Sequence, residues 1–155
     1  MKLLVVTLLA AGIFFSCDNY EVKKNEPATS QEAPAPINQN DLELGCYGYT
    51  DGKSTVMLLV TENKAEVKGT LSYELAEKDK NEGTFTGTVK DDILLATYNF
   101  QSEGVSSTRM LAFKIEGNKL IEGYGEMNAD GISFVNADSI TYTPNMPLEK
   151  GKCNK

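Results

Sequence analysis

From residue 44 onward, apolar and polar side chains alternate in runs of about ten residues, the period-two signature of strands with one buried face. Val67, Gly69, Leu71, Tyr73 and Leu75 fall on one side of such a run, and Lys68, Thr70 and Glu74 on the other. Turn-forming pairs punctuate the runs: Asp51-Gly52, Asn63-Lys64, Asp91-Asp92, Glu103-Gly104 and Gly117-Asn118, with looser turns at Lys78-Asp79-Lys80 and from Asn128 to Gly131. The pattern predicts eight strands, at 44–50, 53–62, 65–77, 81–90, 93–102, 105–116, 119–128 and 132–143. Glu74-Leu75-Ala76-Glu77-Lys78 has good helix formers, but the alternation leading into it favours strand.

Opposed residues of an antiparallel pair share a face, so the turns predict registers that can be checked against burial. Turn 103–104 opposes Leu94 to Phe113, Ala96 to Leu111 and Tyr98 to Arg109. Turn 117–118 opposes Ile115 to Leu120, Phe113 to Glu122, Leu111 to Tyr124 and Arg109 to Glu126. Turn 91–92 opposes Val89 to Leu94, Gly87 to Ala96 and Phe85 to Tyr98. Turns 63–64 and 51–52 oppose Val60 to Val67, Val56 to Leu71 and Tyr47 to Val56. One continuous apolar face results, backed by a face rich in threonine. The expected fold is all-β, an eight-stranded antiparallel up-and-down barrel with strand 8 closing onto strand 1. A β-sandwich is the competing architecture.

The N-terminus has different grammar. Met1-Lys2 and the apolar run from Leu3 to Phe15 form the charged and hydrophobic regions of a signal peptide, too short for a comfortable bilayer span. With Phe14-Phe15-Ser16-Cys17 closing the run, the segment resembles a bacterial lipoprotein precursor with a lipobox. The resemblance implies cleavage after residue 16, acylation of Cys17 and a membrane partner reached through that anchor. Residues 18–40 are polar, contain three of the five prolines, and read as a disordered tether reaching roughly 25 to 70 Å. The domain itself is expected over 41–155. With Cys17 lipidated, Cys46 and Cys153 remain, and an exported setting favours a disulfide between them. Barrel closure brings both to the same end.

Composition narrows the chemistry. There is no histidine, which removes an essential member of serine-triad, Cys-His and most zinc-hydrolase sites. Neither Asp91-Asp92 nor Asn128-Ala129-Asp130-Gly131 has the spacing of a calcium loop, and no metal or cofactor is expected. The net charge of −7 is the wrong sign for nucleic acid. Gly45-Cys46-Tyr47, Ser102-Glu103-Gly104 and Ile121-Glu122-Gly123-Tyr124-Gly125-Glu126 are together similar to the small lipocalin-like barrel lipoproteins of Bacteroidetes. That likeness implies export, anchoring in the cell envelope at the periplasmic or outer surface, and a barrel, without specifying a substrate.

Within the expected interior, Tyr98, Arg109 and Glu126 line up across three adjacent strands, with Glu122, Tyr124 and Tyr49 directed to the same cavity. Two readings follow: an internal ion pair of Arg109 with Glu126, or a ligand anchor in which Arg109 receives a carboxylate or phosphate. Under the second, Gly69, Gly83 and Gly87 leave room, above an apolar floor of Val60, Val67, Val89, Leu94, Phe113 and Ile115. The expected function is non-enzymatic: a tethered envelope lipoprotein binding a small amphiphile, or an interaction module. The alternative is an inhibitor of a basic envelope-attacking protein such as lysozyme, drawn by the acidic surface.

Overall fold

The structure, a computed structural model, describes residues 42–153. The expected signal peptide, Cys17 and the tether lie outside the described residues. Within them the chain forms β1 (Gly45–Thr50), β2 (Thr55–Asn63), β3 (Val67–Glu74), β4 (Asn81–Lys90), β5 (Ile93–Ser102), β6 (Val105–Glu116) and β7 (Lys119–Tyr124). A 3₁₀ turn at Ala137–Ser139 and two short strands follow, β8 (Thr141–Tyr142) and β9 (Leu148–Lys150). Strands β1 to β7 pair in sequence order, and β9 bridges β7 to β1, giving a closed eight-stranded antiparallel, lipocalin-like barrel with β8 as an extra strand.

The central hairpins have the expected registers. Asp91 and Asp92 have φ of 49° and 60°, and Glu103 and Gly104 have 49° and 82°. Positive φ at both central positions matches the right-handed twist of the flanking strands and fixes a two-residue turn. Leu94 therefore faces Phe113, Ala96 faces Leu111, Tyr98 faces Arg109 and Phe85 faces Tyr98. Ile115 and Phe113 lie opposite Leu120 and Glu122.

Two early registers differ from expectation by two residues. Tyr47 pairs with Leu58 and Val60 with Gly69. Between β1 and β2 the loop has four residues, because the Asp51 carboxylate accepts hydrogen bonds from Lys53 N (2.8 Å) and Ser54 N (2.7 Å) and holds the wider turn. Between β2 and β3 the loop runs from 64 to 66, and the register then shifts between Val60 and Glu62. That bulge returns Val60 to the interior together with Val67.

The last part of the chain departs most. β3 ends at Glu74, followed by a turn in which Lys78 N donates to Leu75 O, and β7 stops at Tyr124 instead of reaching 128. The expected strand 132–143 is broken, since the Asn136 side chain accepts from Asp138 N and caps the 3₁₀ turn instead. Closure falls to β9: Tyr47 pairs with Lys150, Gly48 with Glu149, Lys119 with Glu149 and Leu120 with Leu148. Cys46 and Cys153 are disulfide-bonded, with Cα atoms 6.0 Å apart.

Leu58, Val60, Val67, Leu71, Phe85, Leu94, Phe113, Ile115 and Leu120 fill the barrel as one apolar core. The residues expected as a cavity floor are thus packed core, with Val89 at its margin. Leu42 belongs to this core, and Asn63 Nδ2 donates to its carbonyl at 2.6 Å. The chain accordingly enters at the end carrying turns 64–66, 91–92 and 117–118. The opposite end carries turns 51–54 and 103–104, the 75–80 loop and the long 125–140 segment.

Candidate functional site

β6 and β7 pair only from Ala112–Gly123 downward. Above that point they part, and Met110 N donates instead to Ile132 O of the 125–140 segment. The separation opens a cavity of about 430 Å³ at the end remote from the chain's point of arrival. Arg109, Glu122, Tyr73 and Tyr124 line it on the polar side, and Leu75, Met110, Leu111, Met127, Phe134 and Met146 on the apolar side. Its size is that of a small-molecule pocket.

Arg109 is inward-facing by register and half-buried. Its guanidinium carbon lies 5.3 Å from the Tyr73 ring centre, 5.5 Å from Phe100 and 5.9 Å from Tyr98. Tyr98 and Phe100 are stacked at 4.9 Å, and Tyr73 meets Tyr98 edge-on at 6.2 Å. The cation therefore rests among electron-rich ring faces, an attraction that does not use its N–H donors. Its Nε is buried and has no hydrogen-bond partner among the described residues. Among the described residues no carboxylate lies within salt-bridge distance of Arg109.

Glu122 is the nearby acid. Its carboxylate accepts from Tyr73 Oη at 2.7 Å and Tyr124 Oη at 3.0 Å. Burial raises its pKa above the ordinary glutamate value, opposed by those two hydrogen bonds and by the charge of Arg109. Tyr73 is held well above the usual tyrosine value by burial and by the Glu122 charge, and Tyr124 is pushed up to about 12 for the same reasons. Tyr98, raised to about 12 by burial, donates to Leu71 O at 2.8 Å.

Arg109, Glu122 and Tyr124 line the cavity, whereas Tyr98, expected with them, is fully buried beneath the Arg109 guanidinium and outside the lining, and two further residues do not join them. Glu126 is exposed and forms no ion pair with Arg109, because β7 has ended and its backbone carbonyl pairs with Val135 N across the loop. Glu122 and Glu126 consequently do not share the cavity. Tyr49 packs at the margin of the core with its hydroxyl 3.5 Å from Asp51 Oδ2, beside a different depression lined by Thr50, Pro147 and Lys152. Gly69, Gly83 and Gly87 do not leave ligand space either. A Cβ on them would lie 1.9 Å from Leu59 O, 1.9 Å from Asn99 O and 2.3 Å from Leu95 O, so they permit close approach of neighbouring strands.

Sequence reasoning omitted Tyr73 and Phe100, although both share the inward parity of Leu71 and Tyr98. It also omitted Met127, Phe134 and Met146, which lie beyond regular strand pairing. Among the described residues no group of three metal-ligating side chains clusters. No family model matches the chain, and no curated protein or solved structure matches it.

Proposed function

We propose that the protein is a non-enzymatic lipoprotein of the cell envelope, anchored through Cys17, whose barrel takes up a small amphiphile. The observation that carries this reading is the cavity at the β6–β7 separation: an arginine whose buried Nε has no acceptor among the described residues faces a wall of Leu75, Met110, Leu111, Met127, Phe134 and Met146. A polar anchor beside an apolar wall suits a ligand with a head and a tail. The placement supports a tethered carrier, since the cavity opens away from the end where Leu42 enters. Native mass spectrometry of protein taken from its own envelope is expected to show a retained small molecule and an acylated Cys17 following loss of residues 1–16. A protein carrying no ligand, and acquiring none when titrated with single-chain amphiphiles, would overturn the carrier reading; an unmodified Cys17 would overturn the anchor.

A second reading, inhibition of a basic envelope-attacking protein such as lysozyme, has its own support at the rim. Asp51, Glu77, Asp79, Glu103 and Asp130 are all exposed on the loops of the cavity end. Acidic surfaces accelerate encounter with basic partners in a salt-dependent way. Association with lysozyme that weakens between low and high salt is the expected outcome, and no association at low salt would remove this reading.

A further inference from the structure

We infer that the cavity selects amphiphiles with a monoanionic head, bound at Arg109, and that Glu122 takes up a proton as the head arrives. This rests on the carrier reading and adds the chemistry of its ligand. The geometry sets the charge capacity. Arg109 is the chain's single arginine; its guanidinium is held over three rings, and among the described residues its buried Nε has no hydrogen-bond partner and no carboxylate pairs with it, which leaves it for an oxygen acceptor. A carboxylate or a phosphodiester offers such oxygens in the paired geometry that a guanidinium fork prefers.

Glu122 limits what the arginine can hold. Its two oxygens are fixed by Tyr73 Oη from β3 and Tyr124 Oη from its own strand, so it stays near Arg109 without pairing with it. The other charged groups lining the cavity, Lys78 and Asp79 on the β3–β4 loop, are of opposite sign and offset one another. With Glu122 ionised the inner site is neutral; with Glu122 protonated it carries one positive charge. An arriving monoanion therefore matches the site when Glu122 is neutral, and its own charge favours that proton, as burial already does. A dianionic phosphate monoester exceeds the capacity by one charge. A neutral head leaves Nε without a charged acceptor.

The test uses the purified full chain and isothermal titration at pH 6, 7 and 8 with four decyl probes below their micellar concentrations: decanoate, methyl decyl phosphate, decyl phosphate and decanol. Decanoate or methyl decyl phosphate is expected to bind at least tenfold more tightly than decanol, and more tightly as pH falls; which of the two is preferred separates a fatty-acid source from a phospholipid-like one. Repeating the titration in buffers of different ionisation enthalpy should show net proton uptake, lost in Glu122→Gln along with the pH dependence. Arg109→Met should bring the anions down to the decanol affinity while decanol still binds, which shows that the variant is folded and its apolar wall intact. Equal affinity for decanol and decanoate, or binding of decanoate with no proton uptake, would overturn the inference and leave the carrier reading standing. Failure of all four probes would remove both.

Discussion

Arg109 shows how a single side chain can be placed correctly and partnered wrongly. Its register opposite Tyr98 follows from the Glu103-Gly104 turn, whereas its ion pair with Glu126 required β7 to continue two residues beyond Tyr124. Had that pair been buried, breaking it would cost about 3–5 kcal/mol. In the observed arrangement Arg109→Met loses contacts with three rings but also removes an unpaired buried donor, and these offset. The expected change in stability is no more than about 1 kcal/mol by urea denaturation. The coupling between Arg109→Met and Glu126→Gln should fall below about 0.5 kcal/mol in a double-mutant cycle. Coupling of Arg109 with Glu122 should be larger. A second outcome concerns Glu122 itself, whose pKa is raised in the folded state above the ordinary 4.5. Its protonated form is favoured on folding, so its contribution is fully present below about 4.5 and is lost as pH rises through the higher folded value. The stability of the native sequence relative to Glu122→Gln should therefore improve as pH falls from 7 toward 4.5, then level off. A flat difference over that range would contradict the burial of Glu122.

At the scale of elements, the central strands were legible because tight turns fix both loop length and side-chain parity. The early hairpins were misjudged by two residues, yet the buried face was preserved, since a strand's faces repeat every second residue. β9 was not legible: it contains one buried side chain, Leu148, and follows Pro144 and Pro147, so it shows no alternation to read. The cavity was legible only in part for a related reason. Its polar members lie on paired strands, but much of its apolar wall comes from 125–146, where burial follows local turns instead of strand parity. Gly48 marks the place where the tail crosses β1. A Cβ there would lie 1.6 Å from Lys152 O, so only glycine lets the tail cross β1 at this distance. Gly48→Ala is expected to cost about 2–4 kcal/mol by displacing the tail's backbone. Gly104→Ala, with open space but φ of +82°, should cost only about 1 kcal/mol. Equal costs in thermal or urea unfolding would refute the close approach.

For the whole molecule, closure depends on a short strand and a covalent bond acting at the same end. β9 gives two register pairs to β1 and two to β7, fewer than any neighbouring pair in the rest of the barrel wall. Gly151 N extends the contact by donating to Cys46 O at 2.8 Å, Lys150 N donates to Asn118 O at 2.9 Å, and the Lys150 ammonium pairs with the Glu43 carboxylate. The disulfide then joins residues 107 positions apart and restricts the unfolded chain somewhat more than a local crosslink would. Its removal by paired Cys46→Ser and Cys153→Ser substitutions should cost about 2–5 kcal/mol on the chain-entropy account. The loss should begin locally: amides of Lys150 and Gly151 should exchange first, followed by those of β1, because the remaining contacts of β9 are few. The bonds of β4, β5 and the lower half of β6 should hold until global unfolding, since their pairing extends over long strands in tight register. Hydrogen exchange read by mass spectrometry on the oxidised and Ser-substituted proteins tests this order. Unchanged stability on loss of the bridge, or opening that starts in β4 and β5 while the tail stays protected, would show that the barrel is closed by its strands alone.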